Sequence, residues 1–107
     1  MEYSCDVFEE KDEVECFLDL LVEASARANA IIPTNLKLRA MPYNHFRVSG
    51  GSEPFVHINV ALMEGPSEKD LEQLADLLFS AVSRHFAEVK QVTLDVRTTN
   101  PKTYRKR

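Results

Sequence analysis

The pattern of a strand, a long amphipathic helix and a second strand occurs twice in this chain, in the same order, and this repetition limits the fold more than any other feature. In the first unit, Met1 to Val7 reads as a short strand, with Tyr3 and Cys5 on one face and Ser4 and Asp6 on the other. Asp12, with Glu15 three residues on, has the form of a capping box. Val14, Phe17, Leu18, Leu21, Val22 and Ser25 follow at helical spacing, which predicts a helix from about residue 12 to 30. Pro33-Thr34-Asn35 ends it. Leu36, Leu38 and Ala40 then alternate with Lys37, Arg39 and Met41, the period of a half-buried strand. Pro42 has no N–H to give to a sheet, so an edge or a bulge is expected there.

Gly50-Gly51-Ser52 marks the turn between the units. Pro54 to Met63 reads as a strand with Phe55, His57 and Asn59 on one face and Val56, Ile58 and Val60 on the other, ended by Gly65-Pro66. Ser67 stands where a helix N-cap belongs, with Glu68 and Asp70 in the first turn. The stripe of Leu71, Leu74, Leu78, Ala81, Val82, His85 and Phe86 predicts a helix over about 67 to 87. Val92, Leu94 and Val96 alternate with Thr93, Asp95 and Arg97 in a last strand, Val89 to Thr98.

The expected fold class is therefore α+β: two β-α-β units, a four-stranded mixed sheet and two helices on one of its faces. One domain over 1–107 accommodates this, with halves of about 1–48 and 53–98 and a basic tail at 99–107. No run approaches the ~20 apolar residues of a membrane span, and Met1-Glu2-Tyr3-Ser4-Cys5-Asp6 lacks the basic start and apolar stretch of a signal peptide, so a cytoplasmic protein with no membrane partner is expected. Cys5 and Cys16 have no metal-ligand spacing and read as two small buried thiols. A formal net charge of -4 argues against a nucleic-acid partner, and Lys102 to Arg107 reads as a solvated terminus. Ferredoxin-like domains share the element order, but neither Cys-x-x-Cys nor a base-stacking aromatic strand motif is present.

Several segments, in order, resemble the 5-carboxymethyl-2-hydroxymuconate isomerases of the tautomerase superfamily. These are Glu2-Tyr3-Ser4, Ile32-Pro33 ahead of Leu36-Lys37-Leu38-Arg39, Phe55-Val56-His57-Ile58-Asn59-Val60, Leu77-Leu78-Phe79 and His85-Phe86. The resemblance implies a homotrimer with active sites near the subunit boundaries. It implies cofactor-independent tautomerisation of an unsaturated hydroxy-dicarboxylate, in the degradation of aromatic acids, by the secondary amine of an amino-terminal proline. Lys37 and Arg39 match the family's basic positions and would bind the carboxylates of a small substrate, Arg39 with its bidentate fork.

Two departures bear on activity. Aligning Glu2-Tyr3-Ser4 with the family's first strand leaves about four residues absent ahead of Met1, so its amine would stand on the order of 13 Å from the position of the base. The catalytic residue of this chain is thus unknown, and the native protein either begins a few residues upstream with Met-Pro or is a short form without the activity. The family's arginine at the start of the second helix falls at Pro66, beside an anionic Glu64 that would repel a dicarboxylate. The other functional class is a non-catalytic oligomeric domain, ferredoxin-like or tautomerase-like, that binds a small ligand or a protein. His45, His57 and His85 fall on different elements without metal spacing, and no P-loop, dinucleotide or Gly-x-Ser-x-Gly motif occurs, so neither a metal nor an organic cofactor is expected.

Overall fold

The computed structural model describes residues 1–107. Its elements are strand β1 (Glu2–Ser4), helix α1 (Lys11–Ala26), a 3-10 turn (Pro33–Asn35), strand β2 (Met41–Tyr43), strand β3 (Phe55–Met63), helix α2 (Glu68–His85) and strand β4 (Gln91–Thr99). The strands form one mixed sheet in the order β2-β1-β3-β4. Within each β-α-β unit the two strands run parallel, β1 with β2 and β3 with β4, and the units meet where β1 runs antiparallel to β3. This is the duplicated architecture expected from the sequence pattern, with both helices on one face of the sheet.

The helices lie antiparallel. Phe17, early in α1, stacks at 4.8 Å on Phe86 just past α2, while the Asn29 N–H, beyond the end of α1, donates to Gln73 Oε1 early in α2. The core sits between helices and sheet: Phe17, Leu21 and Ala24 from α1, Leu74, Leu78 and Val82 from α2, and Tyr3, Val56 and Ile58 from the sheet are buried. Each large apolar side chain so placed contributes roughly 1.5–3 kcal/mol relative to exposure. Phe8 joins the core edge-on to Tyr3 at 5.0 Å and to Phe86 at 5.4 Å.

Helix α2 starts as its sequence predicts: Ser67 is the N-cap, and its hydroxyl accepts from the Asp70 N–H at 3.1 Å. Helix α1 does not. Its N-cap is Glu10, whose side chain makes no cap, and Asp12 already lies in the first turn. Instead the Glu13 carboxylate accepts from the Glu9 N–H at 3.2 Å, and the expected capping box at Asp12 and Glu15 does not form. The helix also stops at Ala26, short of residue 30, because Arg27 and Ala28 take up turn hydrogen bonds to Ala24 and Ser25.

The strand expected at Leu36 to Ala40 is the largest difference. Its alternation is present, with Leu38 and Ala40 packed against the core and Lys37 and Arg39 exposed, but the paired strand is Met41–Tyr43. The parallel register sets Glu2 against Met41, so residues 36 to 38 lie past the end of β1 with no strand beside them. Pro42 is accommodated as predicted, on an edge strand. The cysteines also differ from expectation. Cys5 and Cys16 are both exposed, Cys5 in the turn after β1 and Cys16 on the outer side of α1, because Phe17 and Leu21 take the core-facing positions. Between the units, Ser49 (φ 49°) and Gly50 (φ 81°) form the turn closed by the Val48–Gly51 bridge.

Candidate functional site

Strand alternation sends one set of side chains into the core and the other onto the sheet face that no helix covers. Register then orders the open set into rows: Met41, Glu2, His57 and Thr93 lie level across β2, β1, β3 and β4, and Tyr43, Ser4, Phe55 and Gln91 form the next row. Two polar contacts involve the first row, one reaching the next row and one within it. The Tyr43 hydroxyl donates to Glu2 Oε1 at 3.2 Å, and His57 Nδ1 lies 2.6 Å from Thr93 Oγ1. Farther along β4, Arg97 pairs with Asp95 on the same face.

Lys37 and Arg39 extend this open face past the end of β1, since they alternate with the core-packed Leu38 and Ala40. Both are exposed, and neither side chain has an ion-pair or hydrogen-bond partner within the protein. The backbone at Arg39 is engaged: the Met1 amine donates to the Arg39 carbonyl at 2.8 Å, and the Met41 N–H donates to the Met1 carbonyl at 2.9 Å. Burial between strands holds that amine below its ordinary pKa of 8.0, the Glu2 carboxylate opposes the shift, and the Arg39 guanidinium adds to it. The corner of the sheet thus gathers two free cations, a carboxylate and an amine.

An aromatic cluster stands at the Tyr43 end of β2, four residues along the chain from Arg39. Tyr43 and Phe46 both approach Phe55, with ring centroids 6.3 Å and 5.4 Å away. Ser4, level with Tyr43 and Phe55, is fully buried despite lying on the open face, and its Oγ accepts from the Phe55 N–H at 3.0 Å. The hydrogen bond to Glu2, reinforced by its negative charge, raises the Tyr43 pKa above 10.0, so this phenol stays neutral throughout the physiological range.

The structure therefore brings the two predicted cations, Lys37 and Arg39, to one face of one segment. Glu64 and Pro66 follow the far end of β3, and Glu64 makes no ion pair with either cation. Sequence reasoning did not single out Glu2 or Tyr43, which lie on the same open face as the cations; the shared parity of Tyr43 with Arg39 and Met41 was the available signal. His85 is exposed, yet its ring lies over Phe17 and Phe86 at 4.8 Å and 4.7 Å, a packing position at the end of α2. No three His, Cys, Asp or Glu side chains are placed to hold a metal ion, and no helix is long and apolar enough to cross a membrane. A surface hollow of about 660 Å³ lies elsewhere, along α2 beside Arg27 at the end of α1. It mixes Arg27, Lys69 and Arg84 with Glu72 and Asp76, cations interspersed with carboxylates.

The sheet, parallel within each β-α-β unit and antiparallel where the units meet, is the tautomerase-like fold class that the sequence pattern implied. More narrowly, the chain belongs to the 5-carboxymethyl-2-hydroxymuconate isomerase family, whose model matches residues 1–106. No curated protein matches it in sequence. Among solved structures it is similar to a 5-carboxymethyl-2-hydroxymuconate isomerase from Deinococcus radiodurans R1, at 22% identity and a TM-score of 0.79 over 99% of this chain and 84% of that one. It is also similar to the macrophage migration inhibitory factor of Toxoplasma gondii, at 20% identity and a TM-score of 0.72 over 98% and 93% of the two chains. A member of the cis-3-chloroacrylic acid dehalogenase family superposes at 10% identity with a TM-score of 0.73, covering 98% of this chain and 76% of the other. At these identities the superpositions carry the fold.

Proposed function

We propose that this protein is a cytoplasmic, cofactor-independent tautomerase for a small unsaturated hydroxy-dicarboxylate of aromatic-acid degradation, with Lys37 and Arg39 as its carboxylate-binding residues. The observation that carries the reading is the exposed, unpartnered state of both cations on one face beside β1. A carboxylate entering there meets two positive charges that no protein carboxylate already neutralises, and Arg39 offers the fork that carboxylates fit. The Tyr43, Phe46 and Phe55 rings supply an apolar flank against which a conjugated chain can lie flat. The reaction moves one proton from an enol oxygen to a carbon of the conjugated system, so atoms and charge balance without a cofactor.

Assembly as a homotrimer belongs to the same proposal. The uncovered sheet face and the outer edges of β2 and β4 are surfaces that association would satisfy. The test combines sedimentation of the purified native protein with an assay of tautomerisation on 5-carboxymethyl-2-hydroxymuconate. Turnover that weakens in Lys37→Ala and Arg39→Ala chiefly through KM supports the reading, and unaltered kinetics in both variants overturns the binding assignment.

One observation favours a second reading, an oligomeric binder of small carboxylates that does not turn them over. The Met1 amine is spent as a donor to the Arg39 carbonyl rather than presented to a cavity. Saturable binding of a dicarboxylate with no accelerated tautomerisation by the native protein would select it.

A further inference from the structure

Across the antiparallel pair of β1 and β3, Glu2 stands directly opposite His57 on the sheet face that no helix covers. Side chains so opposed have Cβ atoms about 4.5–5.5 Å apart, close enough to hold one small group between their tips. Each is fixed from its far side. Tyr43, from β2, donates to Glu2 Oε1 at 3.2 Å, and Thr93, level with His57 on β4, places its hydroxyl 2.6 Å from Nδ1. Neither Glu2 Oε2 nor His57 Nε2 has a hydrogen-bond or ion-pair partner within the protein, although His57 is half-buried. The carboxylate of Asp95, farther along this face, is already paired with Arg97, so Glu2 is the acid left to His57. Arg39 is one open-face step from Met41, which is level with Glu2, and the backbone bonds of Met1 to Arg39 and Met41 keep that step in register. One strand spacing and two residue rises set Arg39 on the order of 8 Å from Glu2, so a dicarboxylate held by the guanidinium at one end can extend over the Glu2 and His57 pair.

We propose that Glu2 and His57 are the acid–base pair of the tautomerisation proposed above, a reading on which this assignment rests. With Thr93 Oγ1 accepting from Nδ1–H, the imidazole carries its transferable proton on Nε2, the unpartnered atom. The ionised Glu2 carboxylate takes the enol proton through Oε2. The oxygen electron pair forms the carbonyl, the conjugated double bonds shift, and the far carbon takes a proton from Nε2 of the His57 imidazolium. That leaves Glu2 protonated and His57 neutral. Return of the proton from Oε2 to Nε2, directly or through one water, restores both groups with no proton gained or lost. Tyr43 orients the carboxylate and Thr93 the ring, so both are positioning residues. The Met1 amine takes no part in this cycle, which agrees with its donation to the Arg39 carbonyl.

Steady-state kinetics of the full chain on 5-carboxymethyl-2-hydroxymuconate test the pair, each variant being checked first for wild-type circular dichroism. General acid–base groups contribute typically 10²–10⁴-fold, so His57→Ala and Glu2→Gln should each lower kcat by about 10²-fold or more, with smaller changes in KM. Added imidazole should restore part of the rate to His57→Ala and none to Glu2→Gln, a rescue that a packing role would not produce. Thr93→Val should fall between wild type and His57→Ala, and should displace the limb of the pH profile that His57→Ala abolishes. A His57→Ala protein that does not fold leaves Glu2→Gln and Thr93→Val to decide by the same readouts. Unchanged turnover in His57→Ala and Glu2→Gln, or no imidazole rescue of a folded His57→Ala, overturns the pair and leaves Lys37 and Arg39 to be judged by their own effect on KM. A wild-type chain without turnover overturns the pair together with the tautomerase reading.

Discussion

Tyr43 and Glu2 are joined across the parallel strands β1 and β2 by a phenol-to-carboxylate hydrogen bond of 3.2 Å, though they are two register positions apart rather than directly opposed. The bond stabilises the neutral phenol, and the nearby negative charge disfavours the phenolate, so the folded-state pKa is raised above 10.0. For a group raised in this way, the stabilisation is fully present below the unfolded pKa and is lost as pH rises through the folded one. Ultraviolet titration should show Tyr43 ionising above 10.0, and Glu2→Gln should bring it back toward 10.0. Equal midpoints for Tyr43 in the two proteins would contradict the structural cause.

Arg39 differs from Lys37 in the geometry it offers. If a carboxylate is held by the guanidinium fork, Arg39→Lys keeps the charge but loses one of two parallel hydrogen bonds, and Arg39→Ala loses both. A charge-assisted hydrogen bond contributes about 1.5–3 kcal/mol, so the alanine variant should bind a dicarboxylate roughly 10- to 100-fold more weakly, with the lysine variant between. Calorimetric titration with a dicarboxylate measures the order, and indistinguishable lysine and wild-type affinities would remove the bidentate role.

Ser4 is a buried polar residue whose hydroxyl serves the Phe55 N–H where β1 leaves β3. Ser4→Ala abandons that N–H in a site water does not reach. The expected loss is about 1–3 kcal/mol, seen in urea unfolding, with faster exchange of the Phe55 amide. A stability change near zero would mean that the amide finds another partner.

Phe17 has no exposed surface and touches Phe8, His85 and Phe86, so it links both helices. Phe17→Ala should cost roughly 3–5 kcal/mol, while Val22→Ala on the exposed side of α1 should stay within about 0.5 kcal/mol. Comparable midpoints for the two variants in denaturant would show the core to be placed elsewhere.

Ser67 caps α2 through a single hydroxyl bond to Asp70, whereas α1 has no side-chain cap. Ser67→Ala should destabilise by about 1 kcal/mol and Ser67→Asp by much less, because a carboxylate can accept the same N–H and suits the helix dipole. Thermal melts distinguish them. Equal loss in both variants would assign the effect to something other than capping.

Elements defined by local chemistry were legible in the chain itself. The stripe through Leu74, Leu78 and Val82, the Ser67 cap, the alternation along Phe55–Met63 and Gln91–Thr99, and the turn at Gly50 all follow from spacing and residue type, because each depends on neighbours a few positions away. The same information placed Lys37 and Arg39 together, since residues two apart in an extended segment share a face. It went astray where the partner was remote. Residues 36 to 40 have the period of a strand, but a strand also needs a neighbour, and the register of Glu2 against Met41 moves the pairing to Met41–Tyr43. The expectation that Cys5 and Cys16 would be buried failed because composition states a preference, while the rotation of α1 that buries Phe17 turns Cys16 outward.

Sequence alone thus determined the duplicated β-α-β plan, the apolar faces that build one core, and the two cations, all properties of short-range periodicity. Tertiary structure decided which side chains meet across the sheet: Tyr43 with Glu2, His57 with Thr93, Ser4 with Phe55, and the Met1 amine with the Arg39 carbonyl. It also decided that residues 36 to 38 have no strand beside them. The physical reason is that pairing register is set by hydrogen bonds between strands some forty to fifty residues apart in the chain, and no local pattern encodes it.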